Sequence, residues 1–263
     1  MSPQQHVAGI PVYIEGDGPE TIVMLHGWPD TYRIWSIQAG YFSRKYRCVR
    51  FTLPGFDGKT GGKGYSLAEV VGTLRQVVDA VSPDKPVILM MHDWGCVFGY
   101  QFAAQHRERV SRLVAVDIGD ANSPEFREAL SWTAKGMVFT YQMTLALSWY
   151  MGDAIGSRVT RGMARALRGK AEPEHIHAGM NYPYAIRWMR TLGTFDDLLP
   201  VAPTCPTLYA YGSRKPFLFH SKHWLEHLAS QPGNLVRSFA CGHWVMVDCA
   251  DEFNTAVEAW LAH

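Results

Sequence analysis

Residues 86–100 read PVILMMHDWGCVFGY, and this stretch gives the strongest indication of the fold. Its first six residues, 86–91, are apolar without alternation, which predicts a strand buried on both faces. The next four, HDWG at 92–95, leave room only for a tight turn, and the residues after them predict a helix. A strand that passes through a tight turn directly into a helix is typical of a parallel sheet alternating with helices.

Other short apolar runs repeat this pattern along the chain. The further predicted strands are Thr21–Leu25, Cys48–Leu53, Leu113–Val116, Thr207–Tyr211 and Leu235–Ala240. Ser66 and Glu69 form a capping box that predicts a packing helix beginning at Leu67. We therefore predict an α/β fold with a mostly parallel sheet and helices on both faces.

Residues 123–190 interrupt this alternation, because they carry helical patterns but no convincing strand. The sheet resumes at Thr207, so residues 123–190 are predicted to be an inserted helical cap, and residues 1–122 and 191–263 the core domain. The cap is rich in aromatic residues, namely Phe126, Trp132, Phe139, Tyr141, Trp149, Tyr150, Tyr182, Tyr184 and Trp188. These side chains either form the core of the cap or line a pocket against the sheet.

The composition excludes several classes of protein. Among 263 residues, 25 Lys and Arg balance 24 Asp and Glu, which excludes a nucleic-acid binder that works by bulk charge. Five cysteines without paired spacing argue against a disulfide framework or a zinc site and fit a reducing cytosol. No signal-peptide pattern and no apolar run of about 18 residues is present. We predict a cytoplasmic monomer or homodimer without membrane or nucleic-acid partners.

Residues 58–64, GKTGGKG, contain a short match to a phosphate-binding loop. The full spacing of that motif is missing and no predicted strand leads into it. We therefore predict a flexible loop here.

Asp93 stands at the apex of the turn in HDWG. Gly95 supplies the small residue that such a strained turn needs two positions after the apex, whereas Met91 departs from the small residue expected two positions before it. Asp93 is either a side chain raised above the edge of the sheet for chemistry or a simple helix N-cap.

Two more segments follow predicted strands and end at the same edge of the sheet. The loop HGWP at 26–29 can turn the backbone N–H of Trp28 toward Asp93, where it would form an oxyanion hole with the N–H of Trp94. His243 lies on the loop after the last predicted strand.

With these segments, the sequence resembles the α/β-hydrolase family over essentially its whole length. The resemblance rests on HGWP at 26–29, LPGF at 53–56, HDWG at 92–95, the inserted cap and GHW at 242–244. With Asp at the apex of the turn, the sequence resembles the branch of this family that contains epoxide hydrolases, haloalkane dehalogenases and haloacetate dehalogenases. The resemblance implies that Asp93 attacks an sp³ carbon to form an ester, which a water activated by His243 then hydrolyses. It implies no metal or organic cofactor.

The family places the acid that orients the histidine after either of two strands. After the later strand the sequence reads YGSRKP at 211–216, which offers cations, so the acid is expected after the earlier one. Asp117 ends that strand and matches the position used by the dehalogenases, and it is preferred over Asp120.

The resemblance also bears on the substrate. Asn181-Tyr182-Pro183-Tyr184 is similar to a cap segment of epoxide hydrolases, in which tyrosines protonate the opened ring, and Tyr150 or Tyr141 is the candidate second donor. His26 and His92 are further candidates for the substrate site.

Three functions remain open. An epoxide hydrolase is the first expectation because of the cap tyrosines and the HGWP loop, and a small apolar epoxide is expected because no arginine follows Asp93 to bind a carboxylate. The alternative is a haloalkane or haloacid dehalogenase, in which the indole N–H groups of Trp94 and Trp149 would bind the leaving halide. The second alternative is a non-catalytic ligand-binding protein of the same fold.

Overall fold

The computed structural model describes residues 4–58, 63–193 and 195–263. Residues 59–62 of the predicted flexible loop lie outside the described residues. An eight-stranded sheet has the order β1-β2-β4-β3-β5-β6-β7-β8. Its strands are β1 Gln5–Val7, β2 Ile10–Glu15, β3 Thr21–Leu25, β4 Arg47–Phe51, β5 Val87–His92, β6 Val110–Val116, β7 Thr207–Gly212 and β8 Leu235–Phe239. The six strands from β3 to β8 pair in parallel, so the predicted sheet is confirmed.

Strands β1 and β2 were not predicted. They form an antiparallel hairpin at one edge, where β2 also pairs antiparallel to β4. The turn between them is Ala8-Gly9, with both residues at positive φ. The usual sequence signal of such a hairpin is Asn-Gly, and alanine rarely adopts positive φ. The pair Ala8-Gly9 therefore did not predict the turn.

Helices cover both faces of the sheet, as predicted. The α-helices are α1 Ser36–Phe42, α2 Leu67–Val81, α3 Trp94–Gln105, α4 Pro124–Ala129, α5 Trp132–Tyr150, α6 Gly152–Ala166, α7 Tyr182–Met189, α8 Lys222–Ser230, α9 Val245–Asp248 and α10 Ala250–Leu261. Helices α1 and α10 pack on one face, where Ile22 and Met24 of β3 join Phe42 and Phe253. Helices α2, α3 and α8 pack on the other face. The capping box of Ser66 and Glu69 begins α2.

The four helices α4 to α7 lie between β6 and β7 in the chain, within the range predicted for the cap. Helix α5 packs against both α6 and α7. The cap joins the core through Tyr184, whose ring packs edge-on against Trp28 and Trp94. Across the described residues, no helix is both long and apolar enough to cross a membrane.

Candidate active site

Asp93 sits in a strained turn between β5 and α3. Its backbone has φ 53° and ψ −124°, a region that non-glycine residues rarely occupy, and its side chain makes no capping hydrogen bond to α3. Close approach of the chain at two glycines makes room for this turn. A Cβ at Gly27 would lie 2.5 Å from the Trp94 nitrogen, and one at Gly95 would lie 2.6 Å from the His26 carbonyl oxygen. Packing therefore directs the carboxylate away from the helix and toward the edge of the sheet.

Met91 fits into this turn because Gly99, one helical turn after Gly95 in α3, leaves room for its side chain. Its side chain is fully buried and occupies the space next to Gly99, where a Cβ would overlap the Met91 sulfur. Gly99 thus supplies the space that a small residue at position 91 usually provides.

A backbone N–H group binds one oxygen of the Asp93 carboxylate. The Trp28 nitrogen donates to Asp93 Oδ1 over 2.6 Å, and the nearby Trp94 N–H contributes to lowering the pKa of the carboxylate. His26 holds the loop that carries Trp28: its Nδ1 is 3.0 Å from the Gly27 carbonyl oxygen, and its Nε2 accepts from the Leu53 nitrogen over 2.9 Å. Burial lowers the pKa of His26 to about 4, so it is neutral at pH 7. His26 therefore braces two loops and does not line a pocket.

His243 connects two carboxylates. Its Nε2 lies 3.4 Å from Asp93 Oδ2, and its Nδ1 hydrogen-bonds Asp117 Oδ2. Burial alone would lower the pKa of His243, but the charge and hydrogen bond of Asp117, with those of Asp93, raise it to about 9. Burial would likewise raise the pKa of Asp93, yet the hydrogen bond and charge of His243 bring it below its ordinary value. The resting site is thus an imidazolium between two carboxylates.

Asp117 is held from three sides. It accepts from the Gly212 nitrogen over 3.0 Å, and the Lys215 ammonium hydrogen-bonds the same Oδ2 that binds His243. Lys215, one of the two cations that follow β7, is thus a partner of Asp117, the acid that follows β6. Burial alone would raise the pKa of Asp117, but its neighbours lower it, and the largest lowering effect is the charge of Lys215. Lys215 therefore keeps Asp117 charged.

Asp120 serves another segment. It accepts from the nitrogen of Ser221 over 2.6 Å, and from the hydroxyl groups of Ser221 and Ser123 over 2.7 Å each. These bonds hold the start of α8 against the loop after β6. The geometry therefore places Asp117, and not Asp120, beside His243.

His92 and Asp30 lie behind His243, and Asp30 was not singled out in the sequence. His92 Nε2 is 3.2 Å from the His243 carbonyl oxygen, and its Nδ1 is 3.9 Å from Asp30 Oδ2. The Trp244 indole donates to Asp30 over 2.8 Å. Burial lowers the pKa of His92 to about 3 and raises that of Asp30 to about 7. Both side chains are fully buried, so they support the histidine loop and do not face a pocket.

Two cavities meet at Asp93. The larger, of about 1330 Å³, is lined by Asp93, His243 and Trp28 and by apolar side chains such as Met137 and Phe217. The second measures about 60 Å³ and lies on the Trp94 side of the turn. The side chains of Asp93 and His243 are 15% and 16% exposed, which leaves both accessible from the larger cavity.

Tyr141 of α5 and Tyr184 of α7 line both cavities together with Asp93. Gln142 donates to the Tyr141 hydroxyl over 2.9 Å, and the ring of Tyr184 packs edge-on against that of Trp94 with centroids 5.2 Å apart. Burial, with a smaller effect of the Asp93 charge, raises the pKa of Tyr141 to about 12 and that of Tyr184 well above 10. Both phenols therefore hold their protons at neutral pH.

The other aromatic candidates lie elsewhere. Tyr182 is fully buried against Phe56 and Tyr65. Residues two apart on a helix project to different sides, so Tyr182 does not share the face of Tyr184. Tyr150 is 54% exposed and hydrogen-bonds Thr191, and Trp149 packs against Tyr150. None of the three lines either cavity.

Comparisons with known proteins agree with this architecture. Epoxide hydrolase 1 of Caenorhabditis elegans is 30% identical over 138 residues, covering 51% of this chain and only 31% of the relative. Cis-3-alkyl-4-alkyloxetan-2-one decarboxylase of Shewanella oneidensis is 25% identical, covering 94% of this chain and 83% of the relative. The crystal structure of Bacillus megaterium epoxide hydrolase with an inhibitor superposes with a TM-score of 0.72 at 21% identity, covering 98% and 99% of the two chains. At that identity the superposition establishes the fold alone.

The assignment to a family rests on a longer match. Residues 22–256, from β3 into α10, match the alpha/beta hydrolase family. The chain therefore belongs to the alpha/beta hydrolase family.

Proposed function

We propose that this protein is an epoxide hydrolase that forms a covalent ester on Asp93. The observation that carries the proposal is the meeting of an ionised carboxylate with two protonated cap tyrosines, Tyr141 and Tyr184, at the junction of the two cavities. A carboxylate can attack a ring carbon without help from a base, and a phenol can protonate the ring oxygen as it leaves. The name of the C. elegans relative, epoxide hydrolase 1, supports the same reaction.

In the first step, Asp93 Oδ2 forms a bond to one carbon of the epoxide while the bond between that carbon and the ring oxygen breaks. Tyr141 or Tyr184 gives its proton to that oxygen. Oδ1 becomes the carbonyl oxygen of the ester and already lies against the N–H of Trp28.

Ester formation prepares His243 for the second step. The ester carries no charge, so Asp93 no longer contributes to the raised pKa of the imidazole. The imidazolium then releases its proton, which restores the tyrosine, and the neutral Nε2 takes a proton from water. The resulting hydroxide attacks the carbonyl carbon of the ester, which is Cγ of Asp93, and the N–H groups of Trp28 and Trp94 stabilise the oxyanion on Oδ1. Collapse releases the diol and returns the carboxylate, with one water consumed.

The indole groups favour an epoxide over an alkyl halide. A leaving halide would need N–H donors at Asp93, but the Trp28 indole donates to Asn181 over 2.7 Å, and the Trp94 ring packs edge-on against Tyr184. Trp149 lines neither cavity. The two phenols are matched to a leaving oxygen, which needs a proton.

The experiment is intact-protein mass spectrometry of His243→Ala after incubation with 1,2-epoxyhexane or 1-bromohexane. Without the histidine the ester cannot be hydrolysed efficiently, so we expect an increase equal to the whole mass of the epoxide. The double variant His243→Ala/Asp93→Asn should gain no mass. His223→Ala, a matched change of an exposed histidine, should turn the epoxide over without a lasting adduct.

Two results would overturn the proposal. An adduct of the hexyl group alone, formed only from the bromide, would identify carbon–halogen hydrolysis. No adduct from either compound, nor from the charged epoxide glycidate, on a variant that retains its circular dichroism spectrum would exclude the ester mechanism and favour a binding protein.

A further inference from the structure

The smaller cavity contains a charge that the proposed reaction does not use. Its polar walls include Arg187 and Asn122 as well as Tyr141, Tyr184 and Asp93. Arg187 lies on α7 three residues after Tyr184, so the two side chains leave the same face of the helix. The guanidinium is therefore close to the reacting groups although it is far from HDWG in the sequence.

Arg187 has no acidic partner within the part of the chain that the structure describes. Its Nη1 donates to the side-chain oxygen of Asn122, and it lies partly buried beside Trp188. Its positive charge reaches both phenols, where it opposes the raising effect of burial on the pKa of Tyr141 and Tyr184. A guanidinium has five N–H donors, and a charge removed from water is costly unless it is paired.

We propose that this pocket binds a carboxylate carried directly by the epoxide ring of the substrate. The inference rests on the proposed function and names the preferred substrate class, the 2,3-epoxycarboxylates, of which glycidate is the smallest. A carboxylate matches the planar donor fork of arginine, which binds it through two parallel hydrogen bonds. The volume of about 60 Å³ has room for a few water-sized groups, which suits a carboxylate but not a long chain.

The position of the pocket fixes the orientation of such a substrate. Asp93, the two tyrosines and Phe219 line both cavities and so lie where the small cavity meets the large one. With its carboxylate on Arg187, the ring lies between Asp93 and the phenols, and any further substituent extends into the large cavity. Attack by Asp93, protonation by a tyrosine and hydrolysis by water then give a 2,3-dihydroxycarboxylate. The cap thus supplies the arginine that is missing after Asp93, so the substrate proposed here is charged, whereas the sequence alone favours an apolar one.

The test compares glycidate with glycidamide, which has nearly the same shape and no charge. We expect the wild type to favour glycidate at least 10-fold in kcat/KM, chiefly through KM. Arg187→Gln should lower the ratio of the two kcat/KM values at least 10-fold, and Arg187→Lys should restore part of it. Arg127→Gln is the matched control, because Arg127 is an exposed arginine whose charge also reaches Arg187 but which does not line the pocket.

Binding measured without turnover keeps this inference separate from the proposed function. Isothermal titration with glycerate, the product of glycidate, should give a Kd at least 10-fold weaker for Arg187→Gln than for the wild type and for Arg127→Gln. Equal affinities, or no binding to the wild type, would overturn the carboxylate pocket even if neutral epoxides are hydrolysed. Glycerate binding that depends on Arg187 without any epoxide turnover would retain the pocket and reject the proposed function.

Discussion

Replacing Gly99 by alanine tests how the turn at Asp93 accommodates Met91. A Cβ at Gly99 would overlap the Met91 sulfur and lie 3.1 Å from Met91 Cγ and 3.3 Å from Leu25 Cδ1. Met91 is fully buried, so it can move only by repacking its neighbours. Overpacking of this kind costs about 1–3 kcal/mol, whereas alanine in place of glycine in a helix contributes about 1 kcal/mol. We expect Gly99→Ala to lower the free energy of unfolding by up to about 2 kcal/mol, where the same change without overpacking would raise it.

A double-mutant cycle identifies the partner of the new methyl group. Met91→Ala alone leaves a cavity and should cost about 2–5 kcal/mol. In Met91→Ala/Gly99→Ala the methyl of residue 99 occupies part of that cavity, so the combined loss should be smaller than the sum by at least about 1 kcal/mol. Urea unfolding, followed by circular dichroism, measures all three losses.

Gly72→Ala is the matched control. Gly72 also lies inside a helix, α2, but a Cβ there would meet nothing within 4 Å, so the substitution should stabilise the protein by about 1 kcal/mol. If Gly99→Ala is as stable as Gly72→Ala, or if the losses at 91 and 99 are additive, the argument that Gly99 makes room for Met91 is refuted.

Further predictions concern the buried charges around the histidine. Asp117→Asn should lower the pKa of His243 from about 9, because it removes the largest contribution that raises it, and NMR titration of the imidazole measures this. Lys215→Gln should raise the same pKa, because Lys215 competes with His243 for Asp117 Oδ2, and an unchanged titration would contradict this. Asp30 has a pKa of about 7 in the fold against 3.8 in the unfolded chain. Between pH 4 and 7 the folded state therefore retains a proton that the unfolded state has lost, so stability falls as the pH rises. Wild type should lose up to about 4 kcal/mol relative to Asp30→Asn across that range, and parallel urea midpoints would contradict it.

Most strands of the parallel sheet were predictable because they are buried on both faces, whereas β8, at one edge, has only one buried residue. All five residues of β3 are buried, and so are all six of β5, which leaves an uninterrupted apolar run in the sequence. The hairpin of β1 and β2 lies at the edge and is mostly half-buried, so its residues carry no such run. The strands whose carboxyl ends bear the site could therefore be predicted, whereas the hairpin at the lateral edge of the sheet could not.

Side chains at the ends of strands were predictable for a related reason. Parallel strands bring their carboxyl ends to one edge, so Asp93 after β5, Asp117 after β6 and His243 after β8 had to lie near one another. The preference for Asp117 over Asp120 agrees with the contact to His243. Lys215 was interpreted only as a cation in the wrong place, because sequence spacing cannot show that it shares an oxygen of Asp117.

By itself, the sequence determined the α/β class and the strand ends that carry the candidate nucleophile, base and acid, because a local turn and a buried strand fix where those side chains emerge. Only the tertiary structure decided which cap residues meet them. Tyr141, Tyr184 and Arg187 line one cavity together with Asp93, while Tyr182 and Tyr150 do not, and all five lie on helices whose rotation and docking depend on packing across the whole cap. The sequence periodicity of a helix defines its faces, but the docking partner decides which face turns toward the site.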